Sequence, residues 1–192
     1  NQVLNWLKEH VDPQSDLCLD SRQVSSGDVF FACPGYEGDG RDYIEQAVAK
    51  GASAVVTEPL SDIAVAASIS VPVLEVESLR QLLGQVAHEW YGCVSTMMSV
   101  IAVTGTNGKT STVHWIAQAL NGAGVPCGTI GTLGVALPDG KLLEGRLTTP
   151  DVLSVHQSLA TIYRSGARAV ALEASSIGLD RSEEHTSELQ SH

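Results

Sequence analysis

Ser99-Val100-Ile101-Ala102-Val103-Thr104-Gly105-Thr106-Asn107-Gly108-Lys109-Thr110-Ser111 is the stretch on which the fold turns. Ser99 to Val103 is apolar and rich in β-branched residues, as a buried strand is. A polar loop with two glycines follows. Thr112 to Asn121 then has helical spacing, closed by Gly122 and Gly124. Strand, glycine loop and helix in that order make a βα nucleotide-binding unit. The glycines let the backbone curl so that successive N–H groups point inward, and the helix adds its positive N-terminal end, which together form a phosphate cradle. Lys109 supplies a point charge for terminal phosphates, and the Thr110 hydroxyl can reach a Mg²⁺ ion bridging them. The spacing departs from G-x-x-x-x-G-K-[ST], because Val103 stands five positions before Gly108. The competing reading is a plain glycine turn. Lys-Thr directly after the second glycine, with a strand and a helix on either side, weighs against it.

Downstream, Gly128 to Leu137 reads as one strand, with Pro138-Asp139-Gly140 as a hairpin turn. Pro150 suits the first position of a helix that runs to about Arg164, with Thr149 before it and Asp151 in its first turn. Ala169 to Leu172 is a second buried strand. It delivers Glu173-Ala174-Ser175-Ser176 to its C-terminal end, where open parallel sheets bind ligands. Glu173 alone could be a surface carboxylate; beside the loop it becomes a Mg²⁺ ligand. Thr148, Thr149, Ser175 and Ser176 read as capping or loop residues on physical grounds alone.

Upstream, Val3 to Lys8 has the spacing of an amphipathic helix, and Asp16 to Asp20 alternates like a short strand. The apolar run Asp28 to Cys33 stops at Pro34-Gly35, and the glycine-rich loop Gly35 to Gly40 leads into a helix over Tyr43 to Lys50. Ala54 to Thr57 and Val71 to Val76 read as strands, Leu79 to Trp90 as a helix. This alternation describes a small α/β domain. The expected division is residues 1–96, residues 97–180, and a polar tail, 181–192, that resembles the in-frame translation of a sequencing adapter and is set aside.

The 192 residues are 43% hydrophobic, enough for ordinary cores, and no apolar stretch approaches the roughly 20 residues of a membrane helix. A net charge of −11 disfavours nonspecific attraction to nucleic acid or an anionic membrane, so any bound anion must be gripped locally. Cys18, Cys33, Cys93 and Cys127 stand singly, which argues against a disulfide framework or structural zinc and for a reduced, cytoplasmic setting. No secretory signal opens the chain, and the missing initial Met suggests a fragment. His10, His88, His114 and His156 read as isolated packing or surface residues, and Trp90 and Tyr91 as core.

Asp20-Ser21-Arg22, Gly35 to Tyr43, Thr104 to Ser111, Thr148-Thr149-Pro150 and Glu173-Ala174-Ser175-Ser176-Ile177-Gly178-Leu179, in this order and spacing, resemble the Mur ligases of peptidoglycan synthesis. The resemblance spans residues 1 to 180 and is strongest to the branch that adds the third stem-peptide residue. It implies an α/β fold: a small N-terminal UDP-sugar-binding domain, then a truncated P-loop-type central ATP-binding domain with a mainly parallel sheet. It implies ATP-driven amide formation through an acyl phosphate, with meso-diaminopimelate or L-lysine joined to UDP-N-acetylmuramoyl-L-alanyl-D-glutamate. By position, Gly105, Thr106, Asn107, Gly108, Lys109, Thr110 and Ser111 would hold ATP, with Lys109 and Glu173 catalytic. Thr110 and Glu173 would hold Mg²⁺. Leu19, Ser21, Tyr36, Glu37 and Gly38 would contact the UDP end, and Thr148, Thr149 and Ser175 the muramoyl-dipeptide end. The resemblance implies a cytoplasmic monomer. It also implies a glutamine, an arginine and a carbamylated lysine after Leu179 and a third domain, which this sequence lacks, so the chain alone is expected to be inactive. The alternatives are the neighbouring MurF branch, a folylpolyglutamate-synthase-type ligase, or a noncatalytic nucleotide-binding module.

Overall fold

Apolar runs bounded by glycine and proline become short strands, and the amphipathic runs between them become helices. The computed structural model describes residues 2–35, 38–60, 69–143 and 151–174. The chain divides into two units, Asn1–Cys93 with Asp151–Gln157, and Val94–Pro150 with Ser158–His192.

In the first unit, helix α1 (Gln2–His10) buries Val3, Leu4 and Leu7. Strands β1 (Leu17–Cys18), β2 (Val29–Ala32), β3 (Ala54–Thr57) and β4 (Val73–Glu75) form an all-parallel sheet in chain order. Every residue of β2 and β3 is buried, as inner strands covered on both faces must be. Helix α2 (Ile44–Ala49) follows a 3₁₀ turn over Gly40–Tyr43 and sets Ile44 and Ala47 against Phe30 and Val55. Helix α3 (Leu79–Trp90) has the bounds its spacing predicts and buries Leu79, Leu83, Val86 and Ala87. After it, the Tyr91 hydroxyl accepts the Leu17 N–H at 3.0 Å, and Trp90 Nε1 donates to the Ser15 carbonyl at 2.9 Å. These bonds satisfy the polar tips of two rings whose bodies pack inward.

The second unit starts with β5 (Ser99–Val103), which has the expected bounds but not the expected burial, its residues being exposed or half-buried, and α4 (Lys109–Gly122). It continues through β6 (Cys127–Gly131), β7 (Gly134–Ala136) and β8 (Leu142–Leu143) to β9 (Ala169–Glu173). The sheet order is β5-β9-β6-β7-β8; β5, β9 and β6 are parallel, and β7 and β8 run antiparallel. Val113 and Ala117 of α4 pack on Cys127, Ala169 and Ala171. Helix α5 (Val152–Arg164) contributes residues to both units.

Three local readings change. The strand expected over Gly128 to Leu137 is folded back on itself: β6 pairs with β7 from Thr129↔Ala136 to Gly131↔Gly134, leaving Thr132-Leu133 as the turn. Gly134, at φ 103, takes the left-handed backbone the turn needs. Helix α4 begins at Lys109 rather than Thr112, because Gly108 at φ 78 serves as its N-cap and sets the turn before it. Asp151 caps α5, its Oδ1 accepting the Leu153 and Ser154 N–H groups at 2.9 and 3.0 Å; Thr149 and Pro150 lie outside the described residues. The α/β expectation holds, with a parallel sheet in one unit and a mixed sheet in the other. No described helix is long and apolar enough to cross a membrane.

Candidate functional site

The second unit places the glycine loop and Glu173 at the same end of its sheet. β5 and β9 are parallel neighbours with Val103 opposite Glu173, and the Ala174 N–H donates to the Val103 carbonyl at 2.9 Å. The loop that leaves Val103 therefore starts beside the backbone of Glu173. Gly105, at φ 142, and Gly108 carry the backbone through conformations that side-chain-bearing residues rarely take. No side chain caps α4, and its first intrahelical bond runs from Thr112 N–H to the Gly108 carbonyl at 2.9 Å. The first-turn N–H groups of a helix have no intrahelical partner, which is what an anion site uses. Lys109 Nζ folds back to donate to the Gly105 carbonyl at 2.6 Å, so its ammonium sits over the loop rather than out in solvent.

Glu173 is half-buried and held by a residue that the sequence reading passed over. Thr132 N–H donates to its Oε1 at 3.2 Å and Thr132 Oγ1 to its Oε2 at 2.9 Å. Gly131-Thr132-Leu133-Gly134, two residues between glycines, is a hairpin signal that could have found the turn.

The donors fit a hard cation. Thr110 Oγ1 and the Glu173 carboxylate are oxygens, and no group of three His, Cys, Asp or Glu side chains among the described residues could form a full protein cage. Oxygen donors of this kind suit a cation such as Mg²⁺, which keeps waters and takes phosphate oxygens as ligands.

In the first unit, Ser21 is buried and its Oγ donates to Gln46 Oε1 at 2.7 Å, while Leu19 is half-buried. Arg22 grips Asp20 through Nε and Nη2 at 2.9 and 2.8 Å, and these bonds hold the Asp20 carboxyl down to about 2. Gly38 gives its carbonyl to the Gly35 N–H at 2.7 Å, and the Gly40 N–H reaches the Cys33 carbonyl at 2.9 Å, forming the neck of the 35–40 loop. Tyr36 and Glu37, and Thr148, Thr149 and Ser175, lie outside the described residues.

No disulfide joins the four cysteines, and burial pushes the Cys18 thiol to about 11 and that of Cys33 to about 12. The histidines are less isolated than expected. His10 stacks on Trp6 with centroids 4.6 Å apart, and His88 meets His156 edge-on at 5.6 Å. Burial, then the nearness of His88, lowers the His156 pKa.

Two family models cover most of the chain. The one described as "Mur ligase family, catalytic domain" matches residues 15–91, and "Mur ligase middle domain" matches residues 103–190. The chain belongs to the Mur ligase family. It is 44% identical over 184 residues to the UDP-N-acetylmuramoyl-L-alanyl-D-glutamate--2,6-diaminopimelate ligase of Ralstonia nicotianae, covering 93% of this chain and 35% of that one. It is 48% identical over 173 residues to the same-named ligase of Pseudomonas aeruginosa, covering 86% and 34%. A solved structure of a diaminopimelate ligase of that name superposes with a TM-score of 0.62 at 30% identity, over 86% of this chain and 32% of that one. The MurF ligase from Thermotoga maritima, solved in complex with ADP, gives 0.55 at 26% identity, over 85% and 32%. This Mur ligase chain thus spans about a third of the length of these relatives.

Proposed function

We propose that this chain carries the UDP-sugar-binding and nucleotide-binding parts, residues 1–96 and 97–180, of an ATP-dependent ligase that adds diaminopimelate to UDP-N-acetylmuramoyl-L-alanyl-D-glutamate. The identity of 44–48% to ligases named for that reaction supports the substrate assignment. The observation that supports the chemistry is the pairing of Val103 with Glu173, which brings the strand end that carries the carboxylate next to the strand that leads into a glycine loop holding an ammonium.

In this reading the Gly105 to Ser111 backbone binds the phosphates of ATP, and Lys109 leaves the Gly105 carbonyl for the terminal phosphate. Thr110 and Glu173 would hold Mg²⁺, which would supply charge neutralisation at the phosphates; the dipeptide carboxylate attacks the γ-phosphorus and ADP departs. The acyl phosphate is then attacked by the amine, and phosphate leaves. Leu19, Ser21 and residues 36–38 contact the UDP end, and Thr148, Thr149 and Ser175 the muramoyl-dipeptide end. Ser21 spends its hydroxyl proton on Gln46, so toward a ligand it offers a lone pair rather than a proton.

Ligand-induced stabilisation tests this. Mg·ATP at about 100 times its Kd stabilises a folded protein by about 2.7 kcal/mol. Lys109→Ala should remove most of that gain while leaving stabilisation by UDP-N-acetylmuramoyl-dipeptide intact. Equal stabilisation of both proteins by Mg·ATP, or protection by folates instead of the uridine nucleotide, would count against the assignment.

A further inference from the structure

We propose that Thr132, with Gly131, is a positioning residue for Glu173, holding its carboxylate in the orientation that receives a Mg²⁺–nucleotide complex. The proposal rests on the Mg·ATP reading of the loop. Thr132 is not a ligand in it and touches neither nucleotide nor metal; it acts through Glu173.

An ionised carboxylate offers about four lone-pair sites, two on each oxygen. Thr132 occupies one on each, with its N–H on Oε1 at 3.2 Å and its hydroxyl on Oε2 at 2.9 Å. Both donors come from one residue, so they fix the plane of the carboxylate as well as its position. A lone pair on each oxygen is left for a cation. Without the clamp, three side-chain torsions would have to be frozen when the metal arrives.

Gly131 belongs to the same device. β6 and β9 run in parallel with Ile130 opposite Leu172, which brings Gly131 alongside Glu173. A Cβ at position 131 would collide with Glu173 Oε1 and come within 2.8 Å of its Cδ and 2.9 Å of its Cγ. A glycine that leaves room for the carboxylate, followed by a threonine that bonds both its oxygens, is more than a two-residue turn requires. Residues that orient metal ligands through hydrogen bonds typically change metal affinity 10- to 100-fold when removed.

The test is the Mg²⁺ concentration that half-saturates binding of a fluorescent ATP analogue, with nucleotide affinity in EDTA as the control and far-UV circular dichroism as the check on folding. Thr132→Val keeps the β-branched shape and loses the hydroxyl; it should raise the Mg²⁺ requirement about tenfold or more with the metal-free affinity unchanged. Thr132→Ser, which restores the hydroxyl, should return close to the wild-type value. Gly131→Ala displaces the same carboxylate by crowding it and should resemble Thr132→Val, which gives a second route should one variant fold poorly. A purely structural turn would lose metal-free and metal-dependent binding together. If the wild-type chain shows Lys109-dependent nucleotide binding and Thr132→Val leaves its Mg²⁺ dependence unmoved, the positioning role is overturned and the nucleotide site stands. If the wild-type chain shows no Mg²⁺-dependent binding, both readings fall.

Discussion

Cys33 shows how far one residue's setting departs from what its type suggests. It lies where β2 ends, 7% exposed, and burial, reinforced by the nearby Glu58 carboxylate, raises its thiol to about 12. A thiol raised in the folded state stays protonated where the unfolded chain, near 9.0, has already ionised. Its contribution to stability is therefore complete below about pH 9 and is lost as pH rises toward about 12, with a limiting slope of about 1.4 kcal/mol per pH unit for one such group. Urea midpoints measured between pH 8 and 10.5 should fall with rising pH, and the fall should be shallower in Cys33→Ala; parallel curves would show that Cys33 contributes nothing to it. Nothing in the sequence carried this value, because it depends on what surrounds the thiol. The positions of Lys109 after the loop and Glu173 at a strand end were legible for the opposite reason: each is set by the strand or loop immediately around it. The meaning of Thr132 comes from a hydrogen bond to a residue 41 positions away, which strand register creates and spacing along the chain does not encode.

Elements whose ends are marked by local chemistry were read with their true bounds. Ser99–Val103 is closed by the polar loop, and Leu79–Trp90 has a clear apolar stripe. The β6–β7 hairpin is hard to see because its turn, Thr132-Leu133, carries no charge or proline, leaving the flanking glycines as the signal. The start of α5 was misplaced by a different ambiguity, since Thr149, Pro150 and Asp151 all carry helix-start chemistry. The structure gives the capping role to Asp151, which accepts the N–H groups of Leu153 and Ser154 and also the Ser154 hydroxyl at 2.7 Å. Asp151→Ala should cost about 1 kcal/mol, within the ~0.5–2 kcal/mol range of lost caps, and Asp151→Asn much less, because the amide oxygen still accepts. Urea denaturation would measure both. Equal losses in the two variants would point to the carboxylate's charge rather than its acceptor geometry.

At the scale of the whole chain, the decisive quantities are charge and extent. A net charge of −11 repels a nucleotide from a distance, so on the proposed reading affinity comes from the loop amides, Lys109 and a cation held by Glu173. Binding of that kind is a local property, and a chain that contains the loop can retain it. Amide formation is not local. Placing a carboxylate against the γ-phosphorus, and then an amine against the acyl phosphate, depends on orienting several reactants at once, which is worth effective concentrations of about 10⁵–10⁸ M when complete. This chain spans about a third of the relatives that carry the ligase name. The purified 192-residue chain should therefore be stabilised by Mg·ATP in a Lys109-dependent manner yet release no phosphate above background when given ATP, Mg²⁺, UDP-N-acetylmuramoyl-L-alanyl-D-glutamate and diaminopimelate together. A continuous phosphate assay with each substrate omitted in turn decides it. Release that requires both the dipeptide and the amine would mean that these residues suffice to orient all the reactants, and that the separation between nucleotide binding and ligation drawn here is wrong.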